Sequence, residues 1–535
     1  MKNKKSQKIK FKNSKDLNYI IIKDTHEKSI VRKIVYSRIV FNFLLIALQL
    51  FLLGLFLLRL KPFLEFYLGG SLVLSAGFMI YLTNCKGKNE FKIAWLVPLV
   101  FFPFFGVAAY LLYHMNIGGL HVKRRLEEVK LQSESLFPQK EEACRVLDNF
   151  PMVKGIGHYL AKQGNYLPHT NTAVTYFPCG EDFFPDLFNS IKQAKKYIFL
   201  EFFIIDVDEM WTLLLEVLEQ KVSEGVEVRV LYDGLGSPIA SSKAYVKYLK
   251  ALGIKAQVFL PQIPFFATQQ NNRDHRKIVI IDGDVAFTGG INLANEYMNE
   301  GENRFAYWKD NAIRLEGSAI RNLTAMFLQT WNISSKNEDY EKYIVHEYPS
   351  FNVPGLVIPY GDDAYNAQDI AEDVYLYIIS NAKKYIHITT PYMVIDNQMQ
   401  EALIFAANRG VDVSIIVPSE PDHLVTFCIG KTFLKTLVEN GIKVYLYEKG
   451  FIHAKTFISD DEIATVGSVN LDYRSLYHHF ECGVLMYQSN AIKDIESDFN
   501  KTLNDCSRME LEDYKKIPSR YRMLGRVFRL FAPLT

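Results

Sequence analysis

Two segments of the chain carry a histidine, a lysine two residues later and an aspartate five residues after the lysine. The first segment begins at His275 and reads HRKIVIID, and the second begins at His453 and reads HAKTFISD. The copies align without a gap at a constant offset of 178 residues, which pairs His275 with His453, Lys277 with Lys455 and Asp282 with Asp460. One copy alone would be weak evidence for a functional site, but a gap-free duplicate predicts two half-sites of the same kind.

These residue types suit chemistry at a phosphodiester. Positions i and i+2 of a β-strand share a face, so the imidazole and ammonium of each copy point together and Arg276 points away. If the copies face each other, one histidine attacks phosphorus, the other protonates the departing alkoxide, and the lysines stabilise charge on the non-bridging oxygens. We interpret the two aspartates as buried organisers of the following turn rather than as proton carriers.

A glycine-rich element follows each copy, with Gly289-Gly290 in the first and Gly467-Ser468 in the second. We expect these glycines to let the backbone approach a ligand, and Asn292, Ser468 and Asn470 to donate hydrogen bonds to phosphate oxygens. The motifs lack the carboxylate clamp that divalent metals need for phosphoryl chemistry. The six cysteines form no C-x-x-C pair. No metal, cofactor or disulfide framework is therefore predicted.

The surrounding sequence repeats as well, which indicates a duplicated α/β domain. AKKYI occurs at 194–198 and again at 382–386, and GVEVRVL at 225–231 returns as GVDVSII at 410–416. Short apolar strands alternate with helical stretches in both halves. A period of about 180 residues is far longer than a solenoid repeat. The predicted fold is two α/β half-domains, each a mixed sheet flanked by helices, related by a pseudo-two-fold axis.

Ahead of these halves lies an apolar region that predicts membrane helices. Residues 39–113 hold only seven charged side chains, and two or three spans are expected, at about 39–60, 63–83 and 93–113. Residues 1–38 hold 12 Lys/Arg and 3 Asp/Glu, so the positive-inside rule places this tail in the cytoplasm. Three spans would put the body outside, whereas the basic cluster at 123–125 favours the inside. One run could be re-entrant, and sidedness stays open.

The remaining boundaries follow from changes in periodicity. The C-terminal segment places Leu524, Val527, Phe528 and Phe531 on one helical face and three arginines, Arg522, Arg526 and Arg529, on the other, as in helices that lie on anionic membranes. A helix packed on the body explains the same pattern. The predicted units after the membrane region are a linker at 114–170, half 1 at 171–345, half 2 at 346–508 and a basic amphipathic segment at 509–535.

The charge balance argues against a nucleic-acid partner. The chain has 61 Lys/Arg and 59 Asp/Glu, a formal charge of +2, and the positive excess lies in the N-terminal tail. A nuclease of this chemistry would carry a basic surface with interleaved aromatic residues. Without the tail, residues 39–535 sum to −7.

On the paired motifs and on segments such as FLEFFIID (199–206), YWKDNAIRLEGSAI (307–320) and TTPYMVID (389–396), the chain resembles the phospholipase D superfamily and, within it, the bacterial cardiolipin synthases. The resemblance implies two phospholipase D-like halves in a multi-pass protein of the bacterial plasma membrane. It implies a phosphatidyl group moving from one phosphatidylglycerol to another through a phosphohistidine, and it favours His275 as nucleophile. Phosphatidylglycerol and other anionic phospholipids are the implied partners. The oligomeric state is left open.

The resemblance also implies a carboxylate beside each imidazole. Asp310 is the expected partner in the first half, 35 residues after His275, and Glu481 in the second, 28 residues after His453. Two alternatives to phosphatidyl transfer stay open at this point: a hydrolytic phospholipase D or related phosphodiesterase, and a non-catalytic scaffold. The intact motifs count against the scaffold.

Overall fold

The structure is a computed structural model that describes residues 47, 51, 54, 55, 64–114, 117–134, 137, 140–261, 271–300, 304–335, 340–343 and 347–534. The predicted tail at 1–38 and nearly all of the predicted span at 39–60 lie outside the described residues. The described helices of five or more residues are numbered α1 Leu64–Asn84, α2 Asn89–Phe101, α3 Pro103–His114, α4 Ile117–Ser133, α5 Lys140–Arg145, α6 Pro151–Gly164, α7 Gly180–Gln193, α8 Glu209–Ser223, α9 Lys243–Ala251, α10 Ile320–Ser334, α11 Ile370–Asn381, α12 Asn397–Asn408, α13 Leu424–Glu439, α14 Tyr473–Tyr477, α15 Ala491–Thr502, α16 Leu511–Lys516 and α17 Ser519–Arg529.

The first half is built on a seven-stranded mixed sheet. Its strands are β1 Thr172–Phe177, β2 Tyr197–Phe202, β3 Glu227–Asp233, β4 Lys255–Phe259, β5 Ile278–Ile281, β6 Val285–Gly289 and β8 Ala312–Gly317, and a two-residue strand, β7 Trp308–Lys309, lies outside the sheet. The spatial order is β1-β8-β6-β5-β2-β3-β4. The pairs β2–β3 and β3–β4 are parallel, and the others are antiparallel.

The second half repeats this sheet and adds one strand. Its strands are β9 Leu356–Asp362, β10 Tyr385–Thr389, β12 Asp412–Pro418, β13 Lys443–Tyr447, β15 Thr456–Ser459, β16 Ile463–Gly467, β18 Glu481–Tyr487 and β19 Cys506–Arg508, with short strands β11 Met393–Val394, β14 Phe451–Ile452 and β17 Leu471–Asp472 outside the sheet. The order β9-β18-β16-β15-β10-β12-β13 reproduces that of the first half, and β19 extends the β13 edge. The duplicated mixed-sheet fold predicted from the repeats is therefore confirmed.

The two halves share one continuous apolar core. Helix α10 packs on β5 of the first sheet and on β9 of the second, and its residues Phe327 and Leu328 are fully buried in a cluster that contains side chains of both sheets. Strand β5, of sequence IVII, is buried along its whole length, as expected for a central strand covered on both faces. The halves therefore pack as a single body, which fixes the relative positions of the two histidine motifs.

The N-terminal helices agree with the predicted segments only in part: α1, Leu64–Asn84, occupies the predicted segment at 63–83, whereas the third segment differs. Within the described residues, no helix is both long enough and apolar enough to cross a bilayer. The third predicted span, 93–113, is two helices, α2 and α3, separated at Phe102, where φ is −140° and ψ is 72°. Helices of 13 and 12 residues reach about 20 Å, less than the ~30 Å of a hydrocarbon core. A single helix over 93–113 is therefore not found; the chain turns back at Phe102-Pro103, which is the arrangement that the re-entrant alternative predicts.

Close packing holds these two helices together as a hairpin. A Cβ at Gly106 would lie 2.8 Å from the Leu99 backbone, so the glycine lets α3 approach α2. The rings of Trp95 and Tyr110 make an edge-to-face contact at 5.3 Å. At the start of α2, the Lys88 ammonium donates to Asp396 at 2.9 Å and to Glu372 in the second half. The hairpin is thereby attached to the body formed by the two halves.

The segment predicted as a linker, 114–170, is part of the body. Helix α4 packs on α10 and buries Leu126 and Val129. Its Lys130 donates to Asp363 of the second half at 2.8 Å. The sequence pattern indicated a linker here because only one narrow stripe of each helix is apolar.

Helix α17 contacts the body, as the second of the two interpretations has it, but part of its apolar face stays exposed. Gly525 is buried against the Cys428 carbonyl of α13, and the Arg529 guanidinium lies 3.9 Å from the centre of the Phe433 ring. Val527 and Phe528 are exposed. Arg529 therefore faces the protein rather than the solvent, because a glycine lets the two helices approach closely beside it.

Candidate active site

The two motif histidines line one cavity between the halves. The cavity has a volume of about 600 Å³, and its walls include His275 and Asn292 from the first half and His453 and Asn470 from the second. Both imidazoles are otherwise buried. The sequence motifs therefore meet at one place, as the facing arrangement predicts.

Both histidines lie just outside the sheets. His275 precedes β5, and His453 falls between β14 and β15. The backbone N–H of His275 donates to the Phe480 carbonyl at 2.8 Å, and that of His453 donates to the Lys309 carbonyl at 2.6 Å. Each histidine segment thus leaves its own sheet and pairs with the residue that precedes the carboxylate of the other half.

As a result, the histidine of each half pairs with the carboxylate of the other half. His275 Nδ1 lies 2.9 Å from Glu481 Oε1, and His453 Nδ1 lies 2.6 Å from Asp310 Oδ2. Asp310 and Glu481 are both buried beside an imidazole, but the prediction that each serves the histidine of its own half is wrong. The reason is the backbone pairing across the halves, which spacing along the chain does not reveal.

The environment keeps both imidazoles neutral. Burial lowers the pKa of His275 to about 3 and that of His453 to about 4. Burial alone raises the pKa of Glu481, but the electrostatic interaction and the hydrogen bond with His275 outweigh burial, and the pKa lies below its ordinary value. The ionised Glu481 accepts the Nδ1–H proton of His275, so that imidazole directs the lone pair of its Nε2 elsewhere. At His453, Nδ1 lies 2.6 Å from Asp310 Oδ2 and 2.7 Å from Lys455 Nζ.

The motif lysines sit beside their histidines. Lys277 Nζ donates to the His275 carbonyl at 2.6 Å, Lys455 Nζ donates to the His453 carbonyl, and Lys455 Nζ lies 3.8 Å from Asp310. Burial lowers the pKa of Lys277 to about 8 and that of Lys455 to about 7. Neither lysine is among the described residues that line the cavity, so contact with a phosphate requires the ammonium groups to turn.

The motif aspartates organise the far ends of the strands. Asp282 accepts hydrogen bonds from the backbone N–H groups of 195–197 at 2.7–2.8 Å, and Asp460 accepts those of 383–385 at 2.7–2.9 Å. Each lies seven residues beyond its histidine, roughly 20 Å along an extended chain. Both have φ near 57°, which aspartate tolerates better than most residues. These contacts agree with a turn-organising role and explain why AKKYI repeats.

The predicted phosphate ligands fall into two groups. Asn292 and Asn470 line the cavity, and Asn470 Oδ1 has no hydrogen-bond partner among the described residues. Ser468 is fully buried; its hydroxyl donates to Glu481 and accepts from the Cys482 N–H at 3.1 Å. Ser468 therefore positions Glu481. The prediction that it binds phosphate is wrong, because its hydroxyl is buried and already bonded to the protein.

The glycines make room for protein rather than for a ligand. A Cβ at Gly290 would lie 2.1 Å from Asp310 Oδ1, and one at Gly467 would lie 2.2 Å from the Cys482 carbonyl. The prediction that these glycines let a ligand approach is therefore wrong. They let the segments that carry the two carboxylates approach the backbone instead.

Sequence reasoning missed His479 and Trp308. Each lies two residues before an orienting carboxylate, in HFE and in WKD. His479 Nδ1 is 3.5 Å from Glu481 Oε1, and the Trp308 ring centre is 5.4 Å from that of His453. The i, i+2 spacing to each carboxylate is the same signal that identified the motifs, and applied to Glu481 it would have found His479.

Comparisons with known proteins agree with this geometry. The profile of the family described as "Cardiolipin synthase, PLD-like domain" matches residues 187–331 and 375–503, and "Phospholipase D-nuclease N-terminal" matches 73–113. The chain is 32% identical to a cardiolipin synthase of Geobacillus thermodenitrificans over 86% of this chain and 92% of that protein. It is 35% identical to one of Clostridium perfringens over 82% and 93%.

A solved structure shares the fold. The phosphatidylserine synthase of Haemophilus influenzae superposes with a TM-score of 0.55 at 17% identity, over 72% of this chain and 100% of that one. Two phospholipase D-like halves, their crossed histidine–carboxylate pairs and the matches over most of the chain lead to one assignment. The chain belongs to the cardiolipin synthase family of phospholipase D-like proteins.

Proposed function

We propose that this protein is a cardiolipin synthase, a phosphatidyltransferase that moves the phosphatidyl group of one phosphatidylglycerol onto another and releases glycerol. The observation that carries the proposal is that His275 and His453 line the same cavity, each with a buried carboxylate on its Nδ1. Two such imidazoles provide a nucleophile and an acid–base group for one phosphorus atom.

In the first step, Nε2 of His275 attacks the phosphorus of phosphatidylglycerol. A phosphorus–nitrogen bond forms, the bond from phosphorus to the glycerol oxygen breaks, and His453 gives that oxygen a proton. Glu481 stabilises the charge that develops on the His275 ring, since it accepts the Nδ1–H hydrogen bond. The assignment of His275 as nucleophile follows the family resemblance.

His453 must carry a proton to act as the acid, and its buried position does not favour that proton; the charge of the substrate does. Burial lowers the pKa of His453 to about 4. An anionic phosphodiester in the same buried site favours the imidazolium and raises that pKa. Protonation of His453 therefore accompanies substrate binding, which limits the reaction to occupied sites.

In the second step, a terminal hydroxyl of another phosphatidylglycerol attacks the phosphohistidine. His453 accepts the hydroxyl proton, a phosphorus–oxygen bond forms, and the bond to His275 breaks. Water reaching the same intermediate would give phosphatidic acid instead, as in a hydrolytic phospholipase D. The difference lies in which hydroxyl occupies the cavity.

The cavity has the lining that an anionic lipid headgroup needs. Arg304 and Arg474 lie on its wall, together with the apolar residues Phe305, Val394 and Ile429. Guanidinium groups bind phosphate oxygens well, and the apolar residues suit the glycerol backbone and the first carbons of the acyl chains. Lys277 and Lys455 join the phosphate oxygens when their ammonium groups turn from the histidine carbonyls.

We infer further that the protein is membrane-associated through its N-terminal apolar region, as a multi-pass protein of the plasma membrane. Large apolar side chains of α1 to α3 are exposed, among them Leu72, Val73, Ile80, Phe101 and Leu111. Exposed apolar surface of this extent is costly in water and favourable in lipid. Extraction of cell membranes with carbonate tests this: the protein should stay with the pellet.

The decisive experiment incubates the purified full chain with phosphatidylglycerol vesicles and separates the products. Diphosphatidylglycerol with one equivalent of free glycerol is expected, and phosphatidic acid as the main product would assign a hydrolase instead. His453→Asn should abolish turnover. His387→Asn is the matched control, since His387 also pairs with a carboxylate, Glu496 at 3.0 Å, but is not among the described cavity residues.

A further inference from the structure

Three possible metal ligands lie together at one end of the cavity. The proposed transfer uses two of them, His275 and Glu481, and gives no role to the third, His479. His275, His479 and Glu481 each offer one donor atom, and these atoms lie within 4.8 Å of one another. His275 Nδ1 and His479 Nδ1 lie 2.9 Å and 3.5 Å from the same oxygen, Glu481 Oε1. Two imidazoles and one carboxylate are a donor set that Zn²⁺ binds, with a fourth position left for water or substrate.

The two histidine–carboxylate separations are close to those of a small tetrahedral shell, and all three donor atoms lie within 4.8 Å of one another. Bonds of 2.0–2.2 Å at the tetrahedral angle place ligand atoms about 3.3–3.5 Å apart. The distance from His479 to Glu481 already has this value, and that from His275 needs to open by a few tenths of an ångström. His479 Nδ1 is buried and, among the described residues, its neighbour is Glu481 Oε1 itself, at 3.5 Å, so no group outside the ligand set has to be displaced from it.

The surroundings orient all three ligands. The Ser468 hydroxyl donates to Glu481, which is the kind of outer contact that holds a ligating carboxylate in place. The Phe203 ring lies against both imidazoles, 5.0 Å from the His275 ring centre and 6.4 Å from that of His479. His275 and His479 also line the open cavity, which gives an ion an entry path and room for a further ligand.

The other half of the pseudo-symmetric site does not offer this set. Asp310 and His453 correspond to Glu481 and His275, but the position of His479 is taken by Trp308, two residues before Asp310. An indole nitrogen is a donor only and does not ligate a cation, and the Lys455 ammonium lies 3.8 Å from Asp310. The difference confines the candidate metal site to the His275 side.

We propose that His275, His479 and Glu481 form an inhibitory site for a divalent cation of the Zn²⁺ class. The inhibition, which rests on the proposed function, follows from the tautomer of His275. A neutral imidazole carries one proton, at present on Nδ1 toward Glu481. A cation that takes the Nδ1 lone pair moves that proton to Nε2, and Nε2 then has no lone pair to attack phosphorus. No proton is released and no bond of the substrate changes.

The affinity is limited by the charge nearby. Lys277 lies close enough to disfavour positive charge on His275, and the same repulsion acts on a bound cation. We therefore expect binding that is weakened by this repulsion and that a chelator reverses.

The test uses Co²⁺ as an optical substitute for Zn²⁺, with the untagged full chain in detergent micelles. One equivalent of Co²⁺ should give the visible absorption of a four- or five-coordinate ion, and Zn²⁺ should displace it. His479→Asn should weaken Co²⁺ binding at least about tenfold, whereas His453→Asn, in the other half, should leave it unchanged. Should His479→Asn fail to fold, judged by its thermal melt, His479→Gln replaces it.

Activity is read separately from binding. Zn²⁺ at saturation should lower phosphatidyl transfer by the wild type at least tenfold, and excess EDTA should restore it. Absence of a Co²⁺ spectrum, or a spectrum unaffected in the His479 variants, would overturn the metal site. A His479-dependent spectrum in a protein that does not transfer phosphatidyl groups would uphold the site and refute the proposed function instead.

Discussion

Substitution of Gly290 by alanine should disable a histidine that it does not touch. A Cβ on Gly290 would lie 2.1 Å from Asp310 Oδ1, 2.8 Å from its Cγ and 2.9 Å from its Oδ2. Non-bonded contacts of this kind need about 3.4 Å or more. The carboxylate therefore has to retreat by about 1 Å, and the 2.6 Å hydrogen bond from His453 to Asp310 lengthens beyond hydrogen-bonding distance.

The expected loss follows from that displacement. A misplacement of about 1 Å near the reacting groups costs on the order of 10²-fold in rate, and loss of the carboxylate that fixes a catalytic imidazole tautomer costs up to about 10⁴-fold. Gly290→Ala should therefore lower kcat by about 10² to 10⁴. The effect on KM should be small, because Asp310 is not among the described residues that line the cavity.

The assay is product formation from phosphatidylglycerol, with thermal melts of each variant to separate unfolding from misplacement. Gly155→Ala is the matched control, since a Cβ at that helical position would meet only the Tyr377 hydroxyl, at 4.0 Å. Activity of Gly290→Ala within fivefold of the wild type, at an unchanged melting temperature, would refute the argument that Asp310 orients His453 across the interface.

Five further predictions concern the same site. Either His275→Asn or His453→Asn alone should abolish turnover, and residual activity within tenfold of normal would contradict a shared site. The stalled wild-type reaction should yield an acid-labile, base-stable phosphorus–nitrogen adduct, and an adduct on serine or aspartate would contradict the mechanism. Asp310→Asn should lower kcat by about 10³-fold or more, because an amide can donate to Nδ1 and reverse the tautomer; a change in KM alone would count against this. Turnover should survive EDTA, and a loss that Mg²⁺ restores would indicate a required metal. Finally, the unfolded chain binds protons at both histidines below about pH 6.5, whereas the folded chain binds them only below about pH 4 and 3. The free energy of unfolding should therefore decrease as the pH is lowered through this range, by about 1.4 kcal/mol per pH unit for each histidine. The double variant His275→Asn/His453→Asn should show a smaller decrease. Equal pH dependences of the wild type and the double variant in urea titrations would contradict this.

Sequence reasoning was strongest where chemistry and local geometry coincide. The paired motifs located His275 and His453, and the constant offset required two copies of one fold. The turn role of Asp282 followed from its place after a short strand, and its three backbone hydrogen bonds agree with it. These features depend on residues close together in the chain, which is why periodicity and spacing reveal them.

The contacts between halves were beyond the same reasoning. Asp310 and Glu481 were identified as carboxylate partners but assigned to the wrong histidines, because pairing between distant segments leaves no mark on local spacing. Ser468 was predicted to bind phosphate, whereas it donates to Glu481. The turn at Phe102 was hidden because an apolar run looks alike whether it forms one helix or a hairpin.

The exchange of strand ends between the halves has a consequence for how such a protein could arise and be divided. Each imidazole pairs with a carboxylate of the opposite copy. A single copy would therefore contain a histidine and a carboxylate that do not contact each other. A single-copy ancestor could have worked only as a symmetric dimer, and fusion of two genes would then have preserved its site unchanged. Today each copy is free to diverge on one side alone, as His479 and Trp308 illustrate.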